Sequence, residues 1–207
     1  ALVDRESLEV TSTTTPTDTV VPLAISSRAN AVIAGCRSGM VRSWTVDGST
    51  ARYAFPTGHQ HEITAVAIDP ESGSTATSSR DRTLRIFDAR GTLKMSPLIG
   101  HSSVVTELRF QPGADVISSF GPESSLRRWD LLGLQSGPPL QHQHACTATL
   151  FSRQNHALVV GLANGDLVFY QRPDNGLIAS ANLGFSPNLL ASIEGNSDII
   201  AASKQDG

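Results

Sequence analysis

Residues Gly58–Pro70 read GHQHEITAVAIDP, and residues Gly100–Pro112, 42 positions later, read GHSSVVTELRFQP. Both phrases open on Gly-His, cross a polar gap, run through β-branched and apolar residues and close on proline. Further out, the stretches MVRSWTVD, TLRIFDA, SLRRWDL and DLVFYQR place Trp44, Phe87, Trp129 and Tyr170 at intervals of 43, 42 and 41 residues. His59, His101 and His142 each stand 28 residues before the last three of these aromatics, and Ile68, Phe110 and Phe151 each stand nine residues after a histidine. Spacings that coincide three times over define an internal repeat, and a period of about 20 to 50 residues is the mark of a repeat architecture.

Within each unit, apolar or alternating runs of strand length are separated by turn residues. AVIAGC, AVAI and ALVVG are nearly continuous apolar runs, as expected of strands covered on both faces near the axis of the assembly. TLRIFD and SLRRWD mix apolar and charged positions, as strands nearer a rim do. DGST, ESGST, ARGT, ANGD and PDNG supply Gly and Asn, which tolerate the positive φ of tight turns. No helical period competes. The expectation is an all-β protein, a β-propeller of four-stranded antiparallel blades. The boundaries fall at about 20–57, 58–99, 100–140 and 141–183 for four complete blades, with 184–207 a partial fifth and 1–19 a separate N-terminal segment.

The Gly-His, the strand that follows it and the RRWD and RIFD endings resemble WD repeats, and the resemblance runs from about Val20 to Gly207. It implies a ring most often of seven blades, so that this chain forms part of a larger propeller. The alternative is that residues 1–15, with their alternating SLEVT, supply the outer strands of the fifth blade and close a five-bladed ring. The resemblance also implies a buried hydrogen-bonded line locking each blade, made of a His, a strand Ser or Thr, a turn Asp and a Trp. In the second unit the matching residues are His59, Thr77, Asp81 and Phe87, and in the third His101, Ser119, Glu123 and Trp129. In the fourth, His142 and Asn164 fit, while Val160 and Tyr170 replace the hydroxyl and the Trp. In the first, Pro16, Ala34 and Ser38 precede Trp44, so the line is broken. Phe87 has no indole N–H and forgoes one bond of roughly 0.5–1.5 kcal/mol while keeping its apolar burial.

The 207 residues carry 16 basic and 19 acidic side chains, a net charge of −3, so no basic field points to nucleic acid as a direct ligand. Cys36 and Cys146 both lie in apolar stretches, which fits free thiols in a reducing compartment, cytoplasmic or nuclear. No stretch reaches membrane-spanning length, and the opening ALVDRESLEV has charges where a signal peptide needs an apolar run, so none is expected. His59-x-His61 and His142-x-His144 could place two imidazoles on one strand face. The repeat register already claims His59 and His142, however, and no third ligand accompanies both pairs, so no metal is expected. Nucleophile-elbow, phosphate-loop and dinucleotide motifs are missing, so no catalytic residue and no cofactor is expected.

What remains is a platform that binds proteins or peptides, one subunit or domain of a larger assembly. Arg37 and Arg80 hold the same register before the turn and should emerge at the top of the ring. The resemblance implies a partner surface made by the residue before the turn Asp and those three and five after the repeat His. These are Glu62, Thr64 and Arg80 in the second unit, Val104, Thr106 and Pro122 in the third, and Ala145, Thr147 and Ala163 in the fourth. Phe87, Asp88 and Arg90, in FDAR, are similar to the box by which some WD-repeat proteins dock on the adaptor of cullin-4 ubiquitin ligases. That box supports a second reading, a substrate receptor, and a third is a subunit of a ribonucleoprotein or chromatin complex.

Overall fold

In a computed structural model, the structure describes residues 2–3, 10–12, 19–26, 28–47, 51–111, 113–132, 134–152, 157–171, 176–192 and 200–203. Every regular element among them is a strand. Three antiparallel sheets have four strands in chain order. The first joins β3 (Val20–Ser26), β4 (Ala31–Cys36), β5 (Met40–Trp44) and β6 (Ala51–Pro56). After the three-stranded β7 (Ile63–Ile68), β8 (Thr75–Ser79) and β9 (Leu84–Phe87) come the other two. They are β10 (Glu107–Phe110), β11 (Val116–Phe120), β12 (Ser125–Asp130) and β13 (Leu140–Gln141), then β14 (Cys146–Ser152), β15 (Ala157–Leu162), β16 (Asp166–Gln171) and β17 (Leu177–Asn182). β18 (Leu189–Ser192) pairs with β19 (Ile200–Ser203), and β1 (Leu2–Val3) with β2 (Val10–Ser12). Pro16 and Asp206, and most of residues 1–15, lie outside the described residues.

Repeated four-stranded up-and-down sheets of this kind are β-propeller blades. The second blade departs from the pattern in its outer strand, which is reduced to bridges at Leu84↔Leu98 and Phe87↔Leu93. Between those bridges β9 advances three residues while the outer segment advances five, so two extra residues bulge out before Pro97. The third blade repeats the defect. Leu126 pairs with Leu140 and Trp129 with Gln135, with the excess at Gly137-Pro138-Pro139. Proline cannot donate to a ladder and is confined to edges and bulges, which is where these prolines stand.

The chain divides into two compact units, residues 1–119 with 128–136, and residues 120–127 with 137–207. In the first unit β7 packs against β3 and β4 on one side and β10 on the other. One apolar cluster there gathers Ile33, Val41, Ile63 and Val66, and a larger one Ala67, Leu84, Ile86, Val105, Leu108, Ile117 and Trp129. In the second unit β14 packs beside β18, with Phe120, Leu126, Leu158 and Val160 in one cluster and Val159, Leu167 and Leu190 in another. β4 and β15 are buried at every residue, because blades cover both of their faces. They are second strands in sheet order, whereas the first strand β3 alternates and leaves Leu23 and Ile25 each 57% exposed. Of the three apolar runs, AVIAGC and ALVVG thus lie in second strands, whereas AVAI lies in β7, the first strand of its sheet.

Glycine makes this packing close. A Cβ at Gly35 would lie 2.6 Å from Ile63 Cγ2, and one at the corresponding Gly161 would lie 2.6 Å from Pro187 Cγ. The next blade's entry passes over a strand that has no side chain to hold it off.

Candidate functional site

Gly58 turns the chain with φ +77°, and a Cβ there would meet the Arg85 guanidinium at 2.9 Å, so Gly precedes the repeat histidine for steric reasons. His59 is thereby delivered into the blade with its side chain fully buried. Its Nε2 lies 2.9 Å from Thr77 Oγ1 and its Nδ1 2.9 Å from Asp81 Oδ2. Asp81 Oδ2 also accepts from Gln60 N, while Oδ1 accepts from Thr83 N at 2.9 Å and Thr83 Oγ1 at 2.7 Å. Burial depresses the His59 pKa against the pull of Asp81, so the imidazole is neutral, donating from Nδ1 and accepting the Thr77 hydroxyl at Nε2. Burial works the other way on Asp81, but the hydrogen bonds from Thr83 and His59 prevail and hold its carboxyl at about 2. The contact is thus a hydrogen bond to a carboxylate rather than an ion pair. Phe87 is 2% exposed and packs against Phe55 with the rings tilted and their centroids 4.7 Å apart.

In the third blade, Ser119 Oγ sits 2.6 Å from His101 Nε2 and accepts Trp129 Nε1–H at 2.8 Å. Glu123 accepts from Ser125 Oγ at 2.8 Å and faces Arg127 Nε at 3.8 Å. The fourth blade is wired differently. With Val160 in the hydroxyl's place, the Tyr170 hydroxyl reaches His142 Nε2 directly at 2.8 Å, and the Cys146 thiol lies 3.5 Å from Nδ1. Asn164 turns instead to Asp166, at 2.6 Å. A Cys-His-Tyr row resembles a nucleophile and its base, but burial, reinforced by Glu123, lifts the Cys146 thiol to about 12. That keeps it protonated and inert. In the first blade, Ala34 is buried, Ser38 is exposed and Trp44 is half-buried.

The residues expected at the docking edge divide by what they do. Glu62 lies between two arginines, with Oε1 accepting from Arg80 Nε and Oε2 facing Arg37 Nε at 3.5 Å. Thr64 points elsewhere, its hydroxyl donating to the Val105 carbonyl at 2.6 Å. Thr147 likewise donates to Gly161 O at 3.2 Å. Val104 is half-buried and Thr106 exposed, as are Pro122 and Ala163, while Ala145 is half-buried. In FDAR, Asp88 Oδ1 accepts from Arg90 N and Thr92 N, closing the turn after β9, and Arg90 is exposed. Asp130 closes the matching turn through Leu132 N and Leu134 N.

Sequence reading missed three features: the direct His142–Tyr170 bond, the Glu62 bridge between the two arginines, and a groove of about 530 Å³ along β3, β7 and β10. Among the described residues no group of three His, Cys, Asp or Glu is placed to hold a metal ion, and no helix is long and apolar enough to cross a membrane.

The blades define a β-propeller protein. Residues 51–88 match the family described as WD domain, G-beta repeat. The chain is 39% identical over 85 residues to nuclear distribution protein nudF of Aspergillus flavus, covering 38% of this chain and 18% of that protein. Against nuclear distribution protein PAC1 of Arthroderma otae it is 40% identical over 73 residues, covering 33% and 16%. The aligned segments thus span less than a fifth of these two relatives. The crystal structure of the computationally designed Ika8 protein superposes with a TM-score of 0.72 at 24% identity, over 88% of this chain and 54% of that one, a likeness of fold alone. The chain thus carries, on a β-propeller fold, a segment that matches WD repeats.

Proposed function

We propose that the protein is a non-catalytic interaction scaffold that docks other proteins or peptides at the loop edge where Arg37, Glu62 and Arg80 meet. The observation that carries this reading is the contrast between buried and exposed groups. The blade histidines, hydroxyls and turn carboxylates are engaged inside the fold, whereas the Arg37 and Arg80 side chains are 72% and 64% exposed at the sheet end. Rigid scaffolds with exposed loop residues are where binding concentrates. Two buried cysteines without a disulfide support a cytoplasmic or nuclear setting. The matched relatives are named for nuclear distribution, but they share a repeat segment with this chain, so what supports transfer is the docking platform and not the process.

The test is co-purification of the full-length protein from native extract beside its Arg37→Glu/Arg80→Glu form, with partners identified by mass spectrometry. Partners lost in the double variant support the reading. The same partners retained at equal yield would move the docking surface away from this edge.

A further inference from the structure

Around the second blade's loop edge, acids turn inward and bases outward. The Asp81 side chain is only 12% exposed and engaged by His59, Gln60 and Thr83. Arg82, held at φ +65°, is exposed, and its guanidinium donates a long bond, 3.4 Å, to the Ser102 carbonyl. Arg37 and Arg80 both meet Glu62 through Nε, the inner edge of the guanidinium. The terminal Nη groups of both carry no hydrogen bond to any described residue. Glu62 itself is 23% exposed, so the solvent side of the cluster presents two planar donor forks and little carboxylate. Because Glu62 neutralises one of the two charges, the trio carries one net positive charge in a chain of net charge −3.

We propose that Arg37 and Arg80 form a receptor for one carboxylate side chain of an acidic peptide, with Glu62 the strut that holds the two guanidinium groups in place. This rests on the docking edge proposed above and adds the chemistry of the partner. A guanidinium presents parallel N–H groups that match a carboxylate, and fixing its Nε beforehand lowers the entropy lost on binding. Charge selects the occupant. One net positive charge suits a single anion and is too little for a phosphate tract, which needs several unneutralised cations. The neighbouring Thr64 and Ser78 hydroxyls are bonded within the fold, so the arginines supply the donors.

The experiment titrates the full-length protein with fluorescent hexaglutamate, with hexaglutamine, and with hexaglutamine carrying one phosphoserine, reading anisotropy. Hexaglutamate should bind, hexaglutamine should not, and Arg37→Ala or Arg80→Ala should weaken binding about tenfold, the worth of a charge-assisted hydrogen bond. Glu62→Gln should tighten it, since glutamine still accepts from Arg80 while the second positive charge is released. A Glu62→Gln affinity equal to or below wild type would overturn the proposal, as would phosphoserine binding tighter than hexaglutamate. If hexaglutamate fails to bind while native partners are still lost in Arg37→Glu/Arg80→Glu, the docking edge stands and the carboxylate assignment falls. If neither responds, both fall.

Discussion

Replacing Asp81 by asparagine tests whether the buried line of the second blade works as described. The carboxylate accepts four hydrogen bonds, from His59 Nδ1, Gln60 N, Thr83 N and Thr83 Oγ1. Asparagine keeps one oxygen for Thr83 but presents an NH₂ to His59. The imidazole must then change tautomer, accept at Nδ1 and donate from Nε2 to Thr77, whose own proton is left without its acceptor. The charge-dependent part of the loss follows from the carboxyl's shift from 3.8 to about 2. At about 1.4 kcal/mol per unit this is some 2.5 kcal/mol, and screening at a group near the surface reduces it to about 1–2 kcal/mol. A folded-state pKa below the unfolded one means the contribution is complete above pH 3.8 and fades as pH falls towards 2. Urea unfolding of wild type and Asp81→Asn at pH 7, 4, 3 and 2.5 should therefore show a gap of about 1–2 kcal/mol at neutral pH that closes through the acid range. A gap that stays constant with pH, or none at pH 7, would refute the reasoning.

Burial depresses the pKa of His59 and His142 below 6.5, so their contribution is present above that value and is lost as pH drops through it. Urea midpoints should fall between pH 7.5 and 5.5, and fall less in His142→Gln; an unchanged slope would contradict this. Trp129→Phe removes the bond to Ser119 and should cost about 0.5–1.5 kcal/mol without unfolding the blade, since Phe87 already fills that place next door. Far-ultraviolet circular dichroism melts of the two proteins report it. Gly161→Ala drives a methyl to within 2.6 Å of Pro187 and should cost about 1–3 kcal/mol, partly recovered by Pro187→Ala; additive losses in chemical denaturation would disprove the contact.

The repeat, the blade and the paired residues of the second line were legible because each depends on spacing along one chain. AVIAGC and ALVVGL announced strands buried on both faces. TATSS did not, although all five residues of β8 are buried, because hydropathy discounts its hydroxyls, of which those of Thr77, Ser78 and Ser79 serve hydrogen bonds within the fold. The broken outer strands of the second and third blades hang on a two-residue excess beside prolines, which pattern reading absorbs as loop. Arg37 and Arg80 share a register one period apart, but Glu62 comes between them only when the second blade's entry packs on the first, a contact between blades that no spacing encodes. Tyr170 was read as a substituted Trp. Its hydroxyl extends far enough to replace the missing strand hydroxyl as well, a matter of side-chain reach.

Hydrogen–deuterium exchange of the full-length protein, free and with its captured partner, tests the central claim most directly. The account predicts slowed exchange in the loop segments 37–39, 59–62 and 80–82, with the buried strands β4 and β8 unchanged. Protection confined to other loops or to outer strands such as β17, with these three segments unaltered, would contradict it.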